Sequence, residues 1–225
     1  DLSSCSPDTP RLLVEELQFA RSGPYSFALE QRACLGLNGV SGVGKTRLLR
    51  ALADIDPSQG RVVLNGRPRE QFEAPQWRCL VAMIPAESRW WHPAVEDHLA
   101  PGYDRQRADD LVRSCGFDSD ILRWDVTRLS TGEKQRLSLI RALIRDPQVL
   151  LLDEVGSGLD KDNGALLEAL VKNYLNSIGG AALWVSHSPE QLERVATHVM
   201  TMHPDRLTLS GSAELETLEG SKAEG

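Results

Sequence analysis

The stretch Gly39-Val40-Ser41-Gly42-Val43-Gly44-Lys45-Thr46 decides the fold. It follows the apolar run 33–37 and precedes TRLLRALADI, whose apolar residues recur with helical spacing. Glycine lets the backbone curl with its N–H groups pointing inward, and the start of a helix adds partial positive charge. The stretch therefore predicts a strand, a tight loop that holds a phosphate group, and a helix.

Each residue of this loop is predicted to contact nucleotide. We expect the Lys45 ammonium to reach the β- and γ-phosphates of ATP and the Thr46 hydroxyl to bind Mg²⁺. A glycine-rich turn that contains GKT by chance is the alternative. Taken alone, the motif indicates only a P-loop nucleoside triphosphatase, because kinases, GTPases and many motors share it.

A pair of acids ends a second apolar run, Leu150-Leu151-Leu152-Asp153-Glu154. Parallel strands of this kind bind ligands at their carboxyl ends, and successive side chains point to opposite faces. We therefore assign Asp153 to Mg²⁺, directly or through water, and Glu154 to the attacking water as its general base. The alternative is a pair of ordinary surface acids.

The rest of the chain predicts an α/β fold with a mostly parallel sheet flanked by helices. An antiparallel β hairpin is expected at the start of the chain, with its turn at Ser22-Gly23-Pro24. Further along, a separate short strand is expected to end at a turn formed by Asn65-Gly66. Further strands are expected at 79–85, 149–154, 181–186, 198–202 and 206–210, and helices at 130–145 and 162–177.

Length and composition favour one domain, since 225 residues with 41% hydrophobic side chains can form one sizeable core. Residues 11–85 and 146–210 are expected to form the nucleotide-binding core. Residues 86–145 are expected to form a small helical subdomain, and the tail 211–225 to be flexible.

Charge, hydropathy and cysteine content disfavour several classes of protein. The net charge is −7 and the basic residues are dispersed, which disfavours a nucleic-acid partner. No apolar run is long enough to cross a bilayer, and a secretory signal pattern is lacking. The four cysteines are widely spaced without a C-x-x-C pair, so reduced thiols in a cytosolic protein are expected.

Leu129-Ser130-Thr131-Gly132-Glu133-Lys134-Gln135-Arg136 resembles the LSGGQ signature of ABC (ATP-binding cassette) proteins and its basic continuation. The resemblance spans nearly the whole chain and implies the ABC type of P-loop fold. It also implies a homodimer in the ATP-bound state, in which each signature acts on ATP held by the other subunit. The signature residues are Ser130, Thr131, Gly132 and Glu133. A free helix N-terminus suits that anion-binding role, although Ser130 could also act only as a helix cap.

Two further segments match the same family. Ser157, Gly158, Leu159 and Asp160 resemble the D-loop, which crosses the dimer interface. His187 follows the apolar strand AALWVS and resembles the H-loop histidine, which contacts the γ-phosphate. The resemblance thus implies Glu154, His187 and Lys45 as catalytic residues.

The sequence departs from the family at three places. Ala86 and Glu87 stand where transporters carry the Q-loop glutamine, and Thr131 replaces a signature glycine. Arg21 falls where the family stacks an aromatic residue on adenine, with Tyr25 as the other candidate. The cluster Arg89-Trp90-Trp91-His92 lies where the family docks its membrane domain, and packing within the helical subdomain is the alternative.

The resemblance implies the ATPase subunit of a transporter, which drives a separate integral membrane permease from the cytoplasmic face of the membrane. GEKQRLSLIR and ALWVSH are most similar to small bacterial cassettes of the metal-exporter or iron-exporter type. Two other classes stay open: a soluble ABC ATPase that acts on a protein or nucleic acid, and a nucleotide switch that hardly hydrolyses ATP.

Overall fold

The computed structural model describes residues 9–210, so the predicted tail 211–225 lies outside the described residues. Strands and helices alternate over most of this range. The strands are β1 (Leu12–Phe19), β2 (Ser22–Leu29), β3 (Cys34–Asn38), β4 (Gln59–Leu64), β5 (Arg67–Pro68), β6 (Val81–Ile84), β7 (Val149–Asp153), β8 (Ala181–Val185), β9 (His198–Met202) and β10 (Leu207–Ser210). The helices are α1 (Lys45–Leu52), α2 (Ala74–Leu80), α3 (Arg105–Ser114), α4 (Thr131–Leu143), α5 (Lys161–Ile178) and α6 (Pro189–Val195).

Two sheets form the core. The larger has the order β10-β9-β3-β8-β7-β6, and all its neighbours are parallel except β10 and β9. The smaller is antiparallel, with the order β2-β1-β4-β5. The predicted α/β class with a mostly parallel sheet and an N-terminal antiparallel region is confirmed.

Strand β7 is buried on both faces of the larger sheet, as its continuous apolar run predicts. Leu150 and Leu152 pack into a core that includes helices α3, α4 and α5. Val149 and Leu151 point the other way, into a core shared with α1 and the smaller sheet. The larger sheet therefore separates two hydrophobic layers.

The hairpin turn was predicted at the wrong place. Strand β2 already begins at Ser22, which pairs with Phe19, so the chain reverses at Ala20-Arg21. The Gly23 N–H donates to the Pro204 carbonyl at 3.1 Å, which ties the start of β2 to the loop between β9 and β10. A contact remote in sequence thus overrides the local turn signal of Ser22-Gly23-Pro24.

The predicted strand 79–85 is also shorter than expected, because Cys79 and Leu80 belong to α2. Trp77 is fully buried, and its indole N–H donates to the Leu52 carbonyl at 2.9 Å. This contact holds α2 against the end of α1. Neither α2 nor α6 was predicted.

Residues 86–145 contain α3, α4 and several 3-10 turns, in line with the expected helical region. Arg136 of α4 donates to the Cys115 carbonyl at 2.7 Å, and its guanidinium lies over the Phe117 ring. The signature helix is thereby fixed to the end of α3. None of the helices in the described range is both long and apolar enough for a membrane span.

Candidate functional site

The phosphate loop joins β3 to α1, as predicted. Gly39, Gly42 and Gly44 all have positive φ, at 144°, 79° and 116°. A Cβ on Gly39 would lie 2.9 Å from the Met202 carbonyl oxygen, whereas one on Gly42 would meet nothing within 4 Å. The loop therefore packs closely on one side and is open on the other.

Lys45 is folded back into this loop. Its ammonium donates to the carbonyl of Gly39 at 2.7 Å and to that of Val40 at 3.3 Å, and the residue is only 7% exposed. Burial lowers the pKa of Lys45, while the charges of Glu154 and Asp153 raise it. The amine thus lies between the loop and the two predicted acids.

Asp153 ends β7 and is 5% exposed. Burial raises the pKa of this carboxyl group, and the Thr46 hydroxyl, Lys45 and His187 oppose that rise. The two predicted metal ligands, Asp153 and Thr46, therefore come together from the end of β7 and the start of α1. A buried carboxylate in this position gains from a nearby cation.

Glu154 leaves the strand with a left-handed backbone, at φ 54°, and its N–H donates to the Val185 carbonyl at 3.0 Å. Its carboxylate contacts His187, since Nε2 of His187 lies 3.1 Å from Oε1 and the His187 N–H donates to Oε2 at 3.4 Å. Oε1 is buried and has no well-aligned hydrogen-bond donor among the residues that the structure describes. Among the described residues, His187 is therefore the charged or polar side chain that the structure places against this carboxylate.

These residues line one open pocket of about 510 Å³. Its lining comprises Ser22, Ser41, Gly42, Val43, Gly44, Lys45, Thr46, Arg47, Asp153, Glu154, Val185 and His187. Arg21 is exposed and does not line it, although the adjacent Ser22 does. Tyr25 is buried and donates to the carbonyls of His203 and Pro204, so it is not available to stack on a base.

Ser130 caps α4 in a capping box with Glu133. The Ser130 N–H and hydroxyl donate to Oε2 of Glu133 at 2.8 and 2.7 Å, and the Glu133 N–H donates to the Ser130 hydroxyl at 3.3 Å. Hydrogen bonds from the Ser130 N–H and then its hydroxyl lower the pKa of Glu133. Ser130 and Thr131 are exposed. Neither lines the pocket that contains Lys45.

The predicted D-loop contacts the signature of the same chain. A Cβ on Gly132 would lie 2.8 Å from Cδ2 of Leu159, so the two segments pack closely. The Ser157 N–H donates to the Glu154 carbonyl at 3.1 Å, and Asp160 caps α5 by accepting from the Asn163 N–H at 2.9 Å. A second pocket of about 690 Å³ is lined by Ser157, Gly158, Leu159 and Asp160 together with Glu154 and His187.

Sequence reasoning missed a buried polar network behind His187. The Ser186 hydroxyl donates to Oε1 of Gln191 at 2.8 Å, and Nε2 of Gln191 donates to the Val155 carbonyl at 3.3 Å. The local signal that could have identified the start of α6 is Ser188 before Pro189, because serine is a common helix cap and proline is common at the first helical position. The link to Val155 joins segments remote in sequence, which no local pattern reveals.

The segment in place of the Q-loop glutamine leaves β6 and contacts the signature helix. Gln135 of α4 is buried and donates to the Ala86 carbonyl at 3.4 Å, whereas Glu87 is exposed. Beyond it, Trp91 is 66% exposed and Arg141 lies over its ring. The predicted contact cluster therefore contains one large aromatic side chain open to solvent.

The fold and this constellation define a P-loop protein of the ABC type. The ABC transporter family matches residues 23–157, more than half of the chain, and the chain belongs to that family. It is 32% identical to the Molybdenum import ATP-binding protein ModC of Pseudomonas aeruginosa over 87% of this chain and 59% of the relative. It is also 32% identical to the "Probable iron export ATP-binding protein FetA" of Escherichia coli, over 75% of this chain and 78% of the relative.

A solved structure of a bacterial Atm1-family ABC exporter with ATP bound shares the fold, with a TM-score of 0.80 and 18% identity. The alignment covers 90% of this chain and 39% of the exporter chain. The chain thus spans about three fifths of ModC and a smaller part of the exporter. These similarities confirm the predicted family and fold class.

Proposed function

We propose that this chain binds and hydrolyses ATP as the motor subunit of an ABC transporter. One observation carries the proposal: Lys45, the Asp153-Glu154 pair and His187, from three separate segments of the chain, line a single pocket at the end of the phosphate loop. Loop amides and a lysine suit the triphosphate, and a carboxylate beside a histidine suits proton transfer.

The residues present fit both ATP and Mg²⁺. The open side of the loop at Gly42 leaves room for phosphate oxygens, and the buried Asp153 carboxylate needs a compensating cation. Thr46 and Asp153 would hold Mg²⁺. When bound, the ion neutralises charge on the transferred phosphoryl group.

Within this site Glu154 acts as general base and His187 orients it. Water attacks the γ-phosphorus, the bond from that phosphorus to the β–γ bridging oxygen breaks, and ADP leaves with that oxygen. The proton of the water passes to the carboxylate of Glu154, which lines the pocket that contains Lys45. Lys45 holds the phosphates in place.

We further propose that two copies assemble head to tail when ATP is bound. Ser130 and Thr131 are exposed outside the Lys45 pocket, which suits a role toward ATP held by a second copy. The N-terminal amides of α4 carry partial positive charge for that purpose. The D-loop would lie at the interface between the two copies, since it lines the second pocket together with Glu154 and His187.

The partner in this proposal is an integral membrane permease, and the chain lies on the cytoplasmic face of the membrane. Residues 11–85 and 146–210 serve as the nucleotide-binding core, and residues 86–145 as the helical subdomain that faces the permease. The exposed Trp91 supports this contact. Relatives named for import and for export support transport in general but no single direction.

The second candidate is a soluble ABC ATPase that regulates a protein or nucleic acid. Ala86 and Glu87 favour it, since the glutamine that contacts the membrane partner is missing. Purification of the tagged chain from membranes of its native host discriminates the two. A polytopic protein that copurifies supports the transporter, and its absence at full chain recovery supports the soluble class.

Phosphate release by the purified chain tests the catalytic assignment. We expect Glu154→Gln to lower kcat by about 100-fold or more, because the base is lost while its shape is kept. Glu73→Gln makes the same chemical change at an exposed residue beside α2 and serves as the control. Equal turnover by wild type and Glu154→Gln would reject the assignment of Glu154.

A further inference from the structure

Gln191 joins the two loops that carry Glu154 and His187. Its side chain accepts from the Ser186 hydroxyl at 2.8 Å and donates to the Val155 carbonyl at 3.3 Å. Val155 directly follows Glu154, and Ser186 directly precedes His187. Gln191 and Ser186 are 6% and 2% exposed, so water does not compete for these bonds.

The hydrogen-bond partners fix the orientation of the Gln191 amide. Nε2 faces two acceptors, the Val155 carbonyl and Oε1 of Glu168 at 3.4 Å, so a donor is required there. Ser186 donates to Oε1 of Gln191 and in turn accepts from the Ser188 N–H at 3.1 Å. The two acceptors at Nε2 match the amide of glutamine and do not match a carboxylate, whereas the Ser186 hydroxyl could donate to either.

The neighbouring backbone leaves this amide little freedom to move. A Cβ on Gly156 would lie 3.1 Å from Nε2 of Gln191, so the loop after Glu154 approaches the amide as closely as glycine allows. Glu168 is itself held by Arg194, whose Nε and Nη2 atoms donate to it at 2.9 and 2.7 Å. The network is therefore anchored on α5.

We infer that Gln191 is a positioning residue for the proposed hydrolysis, because it sets where the Glu154 carboxylate lies relative to His187. The inference rests on the proposed function. Gln191 does not line the pocket that contains Lys45, and so it should influence the chemical step rather than nucleotide affinity.

Gln191→Glu is the sharpest test, because it keeps the shape and replaces the donor with an acceptor. The new carboxylate would face the Val155 carbonyl and Glu168, and the two loops should separate. We expect kcat to fall by about tenfold with KM for ATP within about twofold. Burial beside Glu168 should raise the pKa of the introduced carboxyl group.

The pH dependence gives a readout that general damage to the fold would not produce. In the Gln191→Glu variant only the neutral carboxyl group has an O–H to donate to the Val155 carbonyl, so the lost donor is regained as pH falls. The kcat of Gln191→Glu relative to wild type should therefore be higher at pH 6 than at pH 8. Gln106→Glu is the matched control, because Gln106 donates to Asp110 at 3.0 Å on the exposed face of α3.

The outcomes separate this inference from the proposed function. If wild type does not hydrolyse ATP, the proposed function fails. If wild type is active and Glu154→Gln is not, but Gln191→Glu matches Gln106→Glu in kcat at both pH values, only the positioning role is overturned. Should Gln191→Glu fail to fold, Ser186→Ala decides: a kcat lowered by about threefold or more at unchanged KM supports the role, and wild-type kcat overturns it.

Discussion

Nε2 of His187 lies 3.1 Å from Oε1 of Glu154, although the two residues follow different strands of the larger sheet. Strands β7 and β8 are parallel neighbours, with Asp153 paired to Val185, so their carboxyl ends place the two side chains together. The proposed base and its orienting histidine thus derive their proximity from the register of one strand pair.

Loss of the histidine should therefore disable turnover. We expect His187→Ala to lower kcat for ATP hydrolysis by about 100-fold, because Glu154 loses the group that holds it. The measurement is phosphate release at saturating ATP. His198→Ala removes an exposed histidine on β9 and should retain wild-type kcat. A His187→Ala variant as active as that control would contradict the assignment.

Lys45 should govern nucleotide affinity. Lys45→Ala removes a charged donor from the phosphate loop, and we expect binding of ATP to weaken by about 10- to 100-fold. Titration with a fluorescent ATP analogue measures the change. Lys172→Ala, at an exposed position on α5, serves as the control. Unchanged affinity in Lys45→Ala would place the triphosphate elsewhere.

A mixing experiment tests action across two copies. Lys45→Ala and Ser130→Ala chains should each be nearly inactive alone, since every site in either homodimer lacks one component. An equal mixture should regain about a quarter of wild-type activity, because half of the dimers carry one intact site of two. Mixtures no more active than the separate variants would argue that the signature acts within its own chain or not at all.

His98 should make folding stability depend on pH. Its Nε2 accepts from the backbone N–H groups of Trp91 and His92 at 2.8 and 2.9 Å, and Nδ1 lies 3.0 Å from the Ala94 carbonyl. Two donors at Nε2 require the neutral ring with its proton on Nδ1. Burial lowers the pKa of His98, and the charges of Arg141 and His92 lower it further, against two backbone hydrogen bonds that raise it.

The direction of the effect follows from that lowered pKa. The unfolded chain takes up the proton first, so the free energy of unfolding decreases as pH falls below about 6.5, the ordinary pKa of histidine, until the lowered pKa is passed. Between about pH 7.5 and 5.5, the melting temperature of His98→Gln should decrease less than that of wild type. His198→Gln should follow wild type, and equal pH slopes in all three would contradict the role of His98.

The sequence predicted those parts of the fold whose cause is local. The strand before Gly39, the loop and the helix from Lys45 form as expected, because glycine spacing and apolar periodicity act within a few residues. Ser130 caps its helix with Glu133 three residues later, as a capping box requires. Site residues could therefore be predicted individually where they lie within or next to such local motifs, as in the phosphate loop and at the start of α4.

Features that depend on remote contacts escaped prediction. The hydrogen bond from Gly23 to the Pro204 carbonyl accompanies a hairpin turn at a different place from the predicted one. Cys79 and Leu80 belong to α2 and not to the expected strand, because buried Trp77 bonds to the Leu52 carbonyl and holds α2 against α1. The role of Gln191 in α6 was missed for the same reason, since its hydrogen-bond partner Val155 lies in the loop after β7. Periodicity identifies the elements but does not identify which of them meet.

Strand β7 limits how its own residues can vary. Val149 and Leu151 fix the thickness of one hydrophobic layer, and Leu150 and Leu152 fix that of the other. Asp153 directly follows Leu152 in this strand. A side chain that is too small or too large at any of these four positions would therefore disturb the packing and also shift the Asp153 carboxylate. Mutational tolerance along this strand should therefore be lower than burial alone dictates, because each position is subject to a steric constraint and also affects the placement of the proposed Mg²⁺ ligand Asp153.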